Sequence, residues 1–495
     1  MRCAGILLPV FSLPNRYGIG SFGEEAYGFI DFLADCGQAY WQVLPIGPTI
    51  YGDSPYQPPS VYAGNPYFVA PGLLQADGWL SERECAEHRM GGAYIDYARL
   101  FETRYKLLET AYKRFSQTPP PDFAAFKEEN AYWLDCYCLF MVVKGLNGGK
   151  AMAEWSAEHK NYRLQLERKA EYADGAEFWA FVQYCFFKQW NALKAYANGK
   201  GIRIIGDRPI YSALDSADVW ANPEYFQLDA ELNPTAVAGV PPDLFSEDGQ
   251  LWGNPLYNWD EIKKRGFDFW TRNFDFLFKQ FDTVRVDHFR GFAAYYSIPT
   301  GSATAKNGEW FDAPWREFFT ALKSRYGVGR IITEDLGAID DKVKGMLAFC
   351  GYPGMKIFEF AFGEDDSAYL PKNYPENCVA YTGTHDNMTC KQWLGALNGK
   401  ERRRLRRTIK RRLFEGRVAA CIRNVLNSRA DTVIIPMQDY MELGAAARIN
   451  FPSTLGGNWI WRLPRGYDAP KLKKHILMLT NERNNDATNQ GERRQ

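Results

Sequence analysis

The sequence predicts a (β/α)₈ barrel with large, mostly helical insertions at its C-terminal rim, and three observations predict it. Eight short runs rich in β-branched residues recur along the chain. Helical patterns fill most of the gaps between them, which implies parallel pairing of a repeated strand–helix unit. Several runs close on ionisable residues, as barrel strands do where they open onto a reaction site.

In order, the runs are GILLPV (5–10), YWQVLPI (40–46), IRIIGDRPI (202–210) and TVRVDHF (283–289), then RIITEDLG (330–337), MKIFEFAF (355–362), CVAYTGTHDN (378–387) and TVIIPMQD (432–439). After the first run, Ser21 and Glu24 have capping-box spacing ahead of a helix that stops at Gly37. Between the fourth and fifth, Trp315, Phe318, Phe319, Leu322 and Tyr326 lie at helical spacing and end at Gly327. Two gaps exceed a simple crossover. Residues 51–200 carry tryptophan- and tyrosine-rich patterns such as AEFWAFVQYCFFKQWNALKAYANG, which predict a mostly helical subdomain after the second strand. Residues 212–260, after the third, include GVPPDLFSEDGQLWGNPLYNW; a long irregular segment above a barrel rim predicts a lid. The chain from 1 to 495 thus reads as a single barrel with two insertions. Only the polar end NERNNDATNQGERRQ reads as disordered.

Charge excludes some functions. The 59 basic and 59 acidic residues cancel, which argues against nucleic acid or an anionic membrane as the main partner. The basic run ERRRLRRTIKRR (401–412) is a local exception, but Leu405, Ile409 and Leu413 recur every fourth position, so it reads as an amphipathic helix with a solvated face. No run of 18 apolar residues occurs to span a membrane, and MRCAGILLPVFSLPN has too short an apolar core for a secretory signal. The 10 cysteines are scattered, Cys136 and Cys138 sit too close for a CxxC motif, and no Cys/His cluster has zinc spacing. They read as reduced core thiols of a cytoplasmic protein without a metal site.

The fourth run, inside DTVRVDHFRGF, poses a physical problem. Val284 and Val286 share one strand face, while Arg285 and Asp287 share the other. In a covered sheet that second face is also buried, and a buried charge costs several kcal/mol unless it is paired or put to use. A structural Arg–Asp pair would explain one strand. It does not explain Asp207, Asp287, Glu334 and Asp386 standing at the ends of four strands around one rim. Retaining glycoside chemistry needs a nucleophile and an acid/base roughly 5 to 5.5 Å apart, a spacing that neighbouring barrel strands supply. On this reading Arg285 keeps Asp287 ionised, and burial or nearby anions raise the Glu334 pKa so that it carries a proton. Of only 5 histidines, His288 and His385 adjoin two of these carboxylates.

Nearly end to end, the sequence resembles 4-α-glucanotransferases of the amylomaltase (disproportionating enzyme) type, glycoside hydrolase family 77, in the α-amylase clan. The resemblance runs from GILLPVFSLPNRYGIGSFG through WQVLPIGPT, SPYQ, AGNPY and GDRPIYSALDSADVW to GVPPDLFSEDGQLWGNPLYNW, RVDHFRG, TEDLG and GTHDN, and closes with QDYMELGAAARINFPSTLGGNWIWR. It implies Asp287 as nucleophile, Glu334 as acid/base and Asp386 as a third carboxylate steadying the distorted sugar. Asp207, Arg285, His288 and His385 would bind that sugar, Tyr56 and Trp252 would offer aromatic surfaces, and a lid would lie around Pro241 to Pro255. The sequence departs from the family in the prolines of SPYQPPSVYAGNPY, in Met388 after HDN, and in RINFPST for the usual Arg-Met-Asn-Xaa-Pro-Gly-Thr. These touch acceptor preference and loop conformation, not the carboxylates. The chain leaves no room for the β-sandwich that follows the barrel in many α-amylases.

The implied reaction transfers a segment of an α-1,4-glucan or maltooligosaccharide to the 4-hydroxyl of glucose or another glucan, with no cofactor. Two alternatives differ in outcome: a hydrolase using the same carboxylates with water, and a catalytically silent glucan-binding protein. With maltotriose, transfer gives glucose and a ladder of longer products, hydrolysis raises reducing ends, and a silent protein gives neither.

Overall fold

In the computed structural model of the protein, residues 2–50, 52–242, 246–337 and 339–492 are described. They contain strands β1 (Cys3–Leu7), β2 (Tyr40–Gln42), β3 (Arg203–Arg208), β4 (Ala236–Val240), β5 (Gln250–Pro255), β6 (Thr283–Val286), β7 (Ala294–Pro299), β8 (Glu309–Asp312), β9 (Ile331–Thr333), β10 (Gly354–Ile357), β11 (Cys378–Tyr381) and β12 (Thr432–Pro436). Eight of these, β1, β2, β3, β6, β9, β10, β11 and β12, close a parallel barrel in which each strand lies beside the next in that order, and β12 returns to β1. They are the eight runs read from the sequence.

Strand alternation sorts the side chains into two populations. Leu7, Tyr40, Ile205, Ile332, Met355, Ile357, Val379, Tyr381 and Ile434 pack together inside the barrel. Val284, Val286, Ile204 and Ala380 point the other way, into the larger core shared with the surrounding helices. The interior is therefore a filled plug, and anything that binds must do so at its rim.

Between β2 and β3 the chain is mostly helical, with long helices at Tyr97–Phe115, Pro121–Leu146 and Ala173–Gly199. The last is apolar on most sides and is buried accordingly. Its Phe186 and Trp190 pack on Phe22 of the barrel at ring-centroid distances of 5.0 and 5.2 Å, and its Phe181 lies 4.6 Å from Phe115 of the insertion. Gln183 on the same helix clamps Gly64, donating to its carbonyl and accepting from its N–H. A Cβ at Gly64 would stand 2.1 Å from the Phe186 ring, so this close approach requires glycine.

Several local expectations are overturned. The segment read as an irregular lid contains β4 and β5, which join β7 and β8 in a four-stranded antiparallel sheet in the order β5-β4-β7-β8. Of the lid itself, Asp243 to Phe245 lie outside the described residues. Ser21 does not cap a helix. Gly23 is the cap of Glu24–Asp35, and the Ser21 hydroxyl instead accepts a hydrogen bond from Asn15. The basic helix spans Gly399–Thr408, shorter than the every-fourth-residue pattern suggested, so Ile409 is buried beyond its end and Leu413 is exposed. The polar end is not disordered as far as it is described: the helix Pro470–Glu492 runs through it. Arg483 anchors that helix, fully buried and donating to the carbonyls of Cys3, Leu426, Ala430 and Asp431.

Candidate active site

The parity that fills the barrel also builds the site. Asp207 follows Ile205 by two residues on β3, and Arg285 is its direct partner on β6. Both side chains therefore sit on top of the interior plug, where Arg285 Nε reaches Met355 Sδ at 3.4 Å. Continuing the same parity past the strand ends, Asp287 follows Arg285 and Glu334 follows Ile332 on β9. Val286 pairs with Thr333, so the two carboxylates leave adjacent strands side by side. Strand spacing is about 4.8 Å, close to what a retaining pair requires.

Arg285 organises the floor. Its Nη1 donates to both oxygens of the fully buried Asp207 carboxylate at 2.8 Å, and its Nη2 reaches Asp287 Oδ1 at 2.8 Å. Burial raises the Asp287 carboxyl above the ordinary aspartate range, with Arg285 as the strongest opposing influence. Glu334 is pushed up to about 7, first by burial and then by the negative charge of Asp287. Two backbone donors hold it in place, His288 N to Oε2 and Leu336 N to Oε1, each at 2.8 Å.

Asp335 takes the structural part of the TEDLG motif. Its Oδ1 accepts from Met355 N at 2.6 Å, and its carboxylate fills the space where a Cβ on Gly354 would fall, 2.4 Å away. The two acidic neighbours thus divide their work, one gripping the β10 backbone and one facing the rim.

Tyr56, His385 and Asp386 form the opposite wall. The Tyr56 hydroxyl donates to Asp207 Oδ2 at 2.8 Å and lies 2.8 Å from His385 Nε2, and the two rings stack at 5.3 Å. A phenol has one proton, so with that proton on Asp207 the second contact is donated by His385 Nε2–H. The same nitrogen lies 3.3 Å from Asp386 Oδ2. His288 adopts a left-handed backbone (φ 44°), and its Nε2 is buried without a partner among the described residues. Burial lowers the imidazole pKa to about 3, so the ring is neutral. Trp252, on β5, sets its ring edge-on to His288 at 4.8 Å.

All nine residues singled out in the sequence therefore gather at one rim. Others there went unread. Asn450 Nδ2 donates to Asp386 Oδ1 at 2.6 Å, and Arg448 Nη2 donates to the Asp386 carbonyl at 2.9 Å. Gln57 and Asn254 exchange two amide hydrogen bonds (2.8 and 3.1 Å), tying the SPYQ loop to β5. The only signal for them was membership of the quoted motifs. Among the described residues no group of three or more His, Cys, Asp or Glu is placed to hold a metal ion.

The profile of the 4-alpha-glucanotransferase family matches residues 8–468. The chain belongs to that family. Similar 4-alpha-glucanotransferases include that of Clostridium butyricum, 44% identical over 481 residues covering 95% of this chain and 98% of the relative. That of Streptococcus pneumoniae is 43% identical over 493 residues, covering 97% and 96%. The amylomaltase of Streptococcus agalactiae in complex with acarbose superposes with a TM-score of 0.95 at 39% identity, covering 98% of this chain and 99% of that one. As a 4-alpha-glucanotransferase the chain is a transferase acting on α-1,4-glucans and maltooligosaccharides, and the family reaction is a retaining transglycosylation. Among its described residues no helix is long and apolar enough to cross a membrane.

Proposed function

We propose that Asp287 is the nucleophile and Glu334 the general acid/base of this transfer. Asp287 Oδ attacks the anomeric carbon as Glu334 gives its proton to the departing 4-oxygen, leaving a covalent β-glycosyl ester and a shortened glucan. Glu334, now a carboxylate, takes the proton from the 4-hydroxyl of an acceptor, and that oxygen displaces Asp287 with restored α-configuration. The observation that carries this assignment is the contrast on adjacent strands. Asp287 is braced by a fixed cation, while Glu334 has no ion-pair partner among the described residues and is raised to about 7. Burial raises both carboxyls, but Asp287 has a cation in contact that opposes it, and unequal surroundings of this kind divide a carboxyl pair into nucleophile and acid.

The remaining residues act on the sugar at the reacting position. Asp207 and the neutral His288 accept or donate hydrogen bonds to its hydroxyls, and Arg285 orients Asp287. Asp386 steadies the ring as positive charge develops, with His385 and Tyr56 fixing the wall beside it. Trp252 offers an apolar surface and limits water. Glucose serves as an acceptor, since a 4-hydroxyl is all the second step requires. The acarbose complex of the Streptococcus agalactiae amylomaltase supports an oligosaccharide-sized cleft in this fold. Ten unbridged cysteines support a cytoplasmic setting.

Maltotriose tests the reading directly. Glucose release with a ladder of longer maltooligosaccharides and little gain in reducing ends is the expected result. A steady rise in reducing ends would replace transfer with hydrolysis.

A further inference from the structure

Phe451 is a large apolar side chain left 41% exposed at the edge of the site. Single exposed apolar residues are ordinary on protein surfaces, but this one is held in an unusual way. The Arg448 guanidinium carbon lies over one face of its ring, 4.0 Å from the centroid. That same guanidinium donates to the Asp386 carbonyl and to the Asn450 carbonyl. One ring face is therefore braced by a cation fixed to the backbone of Asp386, and the ring remains substantially exposed to solvent.

The loop carrying the ring stands on the site at both ends. At its start, Asn450 holds Asp386 through its side chain and the His385 carbonyl through its backbone N–H. At its end, the Trp459 ring lies 5.7 Å from Tyr56 and 6.0 Å from His385. Between them Asn458 accepts from Phe451 N and donates to Thr454, which in turn donates to the Phe451 carbonyl. A loop tied in this way presents the ring in a fixed orientation, so stacking on it forfeits little conformational freedom.

We infer that Phe451 is the stacking platform of an additional glucosyl subsite for α-1,4-glucan, one layer further out than the sugar at Asp386. The apolar C–H face of a glucosyl ring matches an aromatic ring whose other face is already occupied. Because Arg448 links the platform to Asp386, a sugar seated there is registered against the reacting position. The inference rests on the α-glucan reading above.

The test compares Phe451→Ala and Phe451→Trp with the parent protein, measuring kcat/KM by glucose release from maltotriose, maltotetraose and maltoheptaose. The Ala variant is expected to lose roughly three- to tenfold with maltoheptaose, the scale of one ring contact, and less with maltotriose. The Trp variant is expected to recover most of that loss. If Phe451→Ala lowers the thermal midpoint, Phe451→Leu, which keeps apolar bulk without a ring, carries the comparison. A loss equal at every chain length, no loss at all, or a Trp variant no better than Ala would overturn the subsite. Absence of maltotriose disproportionation in the parent protein would overturn the transfer reading itself.

Discussion

The backbone N–H of His288 donates a 2.8 Å hydrogen bond to the carboxylate of Glu334. The residue next to Asp287, the proposed nucleophile, thus helps fix the position of Glu334, the proposed acid/base, and ties the two strand ends together. The neighbouring charge of Arg285 and the backbone N–H of Leu336 favour the ionised carboxylate, opposing the burial that raises its pKa. Glu334 is poised between these influences near neutrality.

Asp287→Asn removes the attacking charge and keeps the shape. Turnover of maltotriose is expected to fall by several orders of magnitude, while calorimetry still detects maltooligosaccharide binding. Near-normal turnover would sink the assignment.

Glu334→Gln is expected to abolish maltotriose turnover yet still release fluoride from α-glucosyl fluoride, whose leaving group needs no proton. If fluoride release is equally impaired, Glu334 is not the acid.

The same carboxyl sets a pH dependence. Its folded pKa, about 7, lies above its ordinary 4.5, so the folded state binds a proton that the unfolded chain has already lost. That contribution to stability is complete below about pH 4.5 and is lost as pH rises through about 7. The thermal midpoint of Glu334→Gln relative to the parent is therefore expected to rise between pH 5 and pH 8. Parent kcat/KM is expected to fall above about pH 7 as the acid deprotonates. A flat difference in midpoints would show that Glu334 does not titrate in this window.

Arg285→Met leaves Asp207 and Asp287 buried together without their cation. Breaking a buried pair from one side costs about 3 to 5 kcal/mol, and the loss is expected to be largest at neutral pH, shrinking as acid protonates Asp287, whose carboxyl burial already raises. Arg285→Lys keeps the charge but not the forked geometry, and is expected to recover only part of the stability. Urea unfolding at pH 7 and pH 5 measures both; a loss independent of pH would point to packing alone.

Trp252→Ala is expected to raise the ratio of hydrolysis to transfer at fixed maltotriose, with a binding loss of roughly tenfold or less. An unchanged ratio in a stably folded variant would limit Trp252 to packing. Phe245→Ala, within the same lid segment of the sequence, calls for the same measurement.

Barrel and carboxylates were legible in the sequence for one reason: the period-two pattern that buries Ile205, Ile332 and Met355 also aims Asp207, Arg285, Asp287 and Glu334 at one rim. The antiparallel sheet was not legible, because β4 (AVAGV) is built from small residues and β8 (EWFD) is exposed at every position. Neither carries an alternating signature. Ser21 satisfied a spacing rule, yet its hydroxyl was taken by Asn15. The tail was misjudged from composition, since one buried Arg483 outweighs many polar neighbours. Asn450 was hidden by distance along the chain, its partner Asp386 lying in another motif.

Barrel closure has a consequence for how the molecule is made. β1 must pair with β12, placing Cys3 against Thr432 and Leu7 against Pro436, and Arg483 then bridges both from the helix beyond. During synthesis β1 emerges long before that partner, with one edge open and unpaired. Contacts so remote in sequence form late and slowly, and an open strand edge in the interval invites association with other chains. The strand that starts the barrel thus keeps an edge open until β12 and the helix carrying Arg483 have been made.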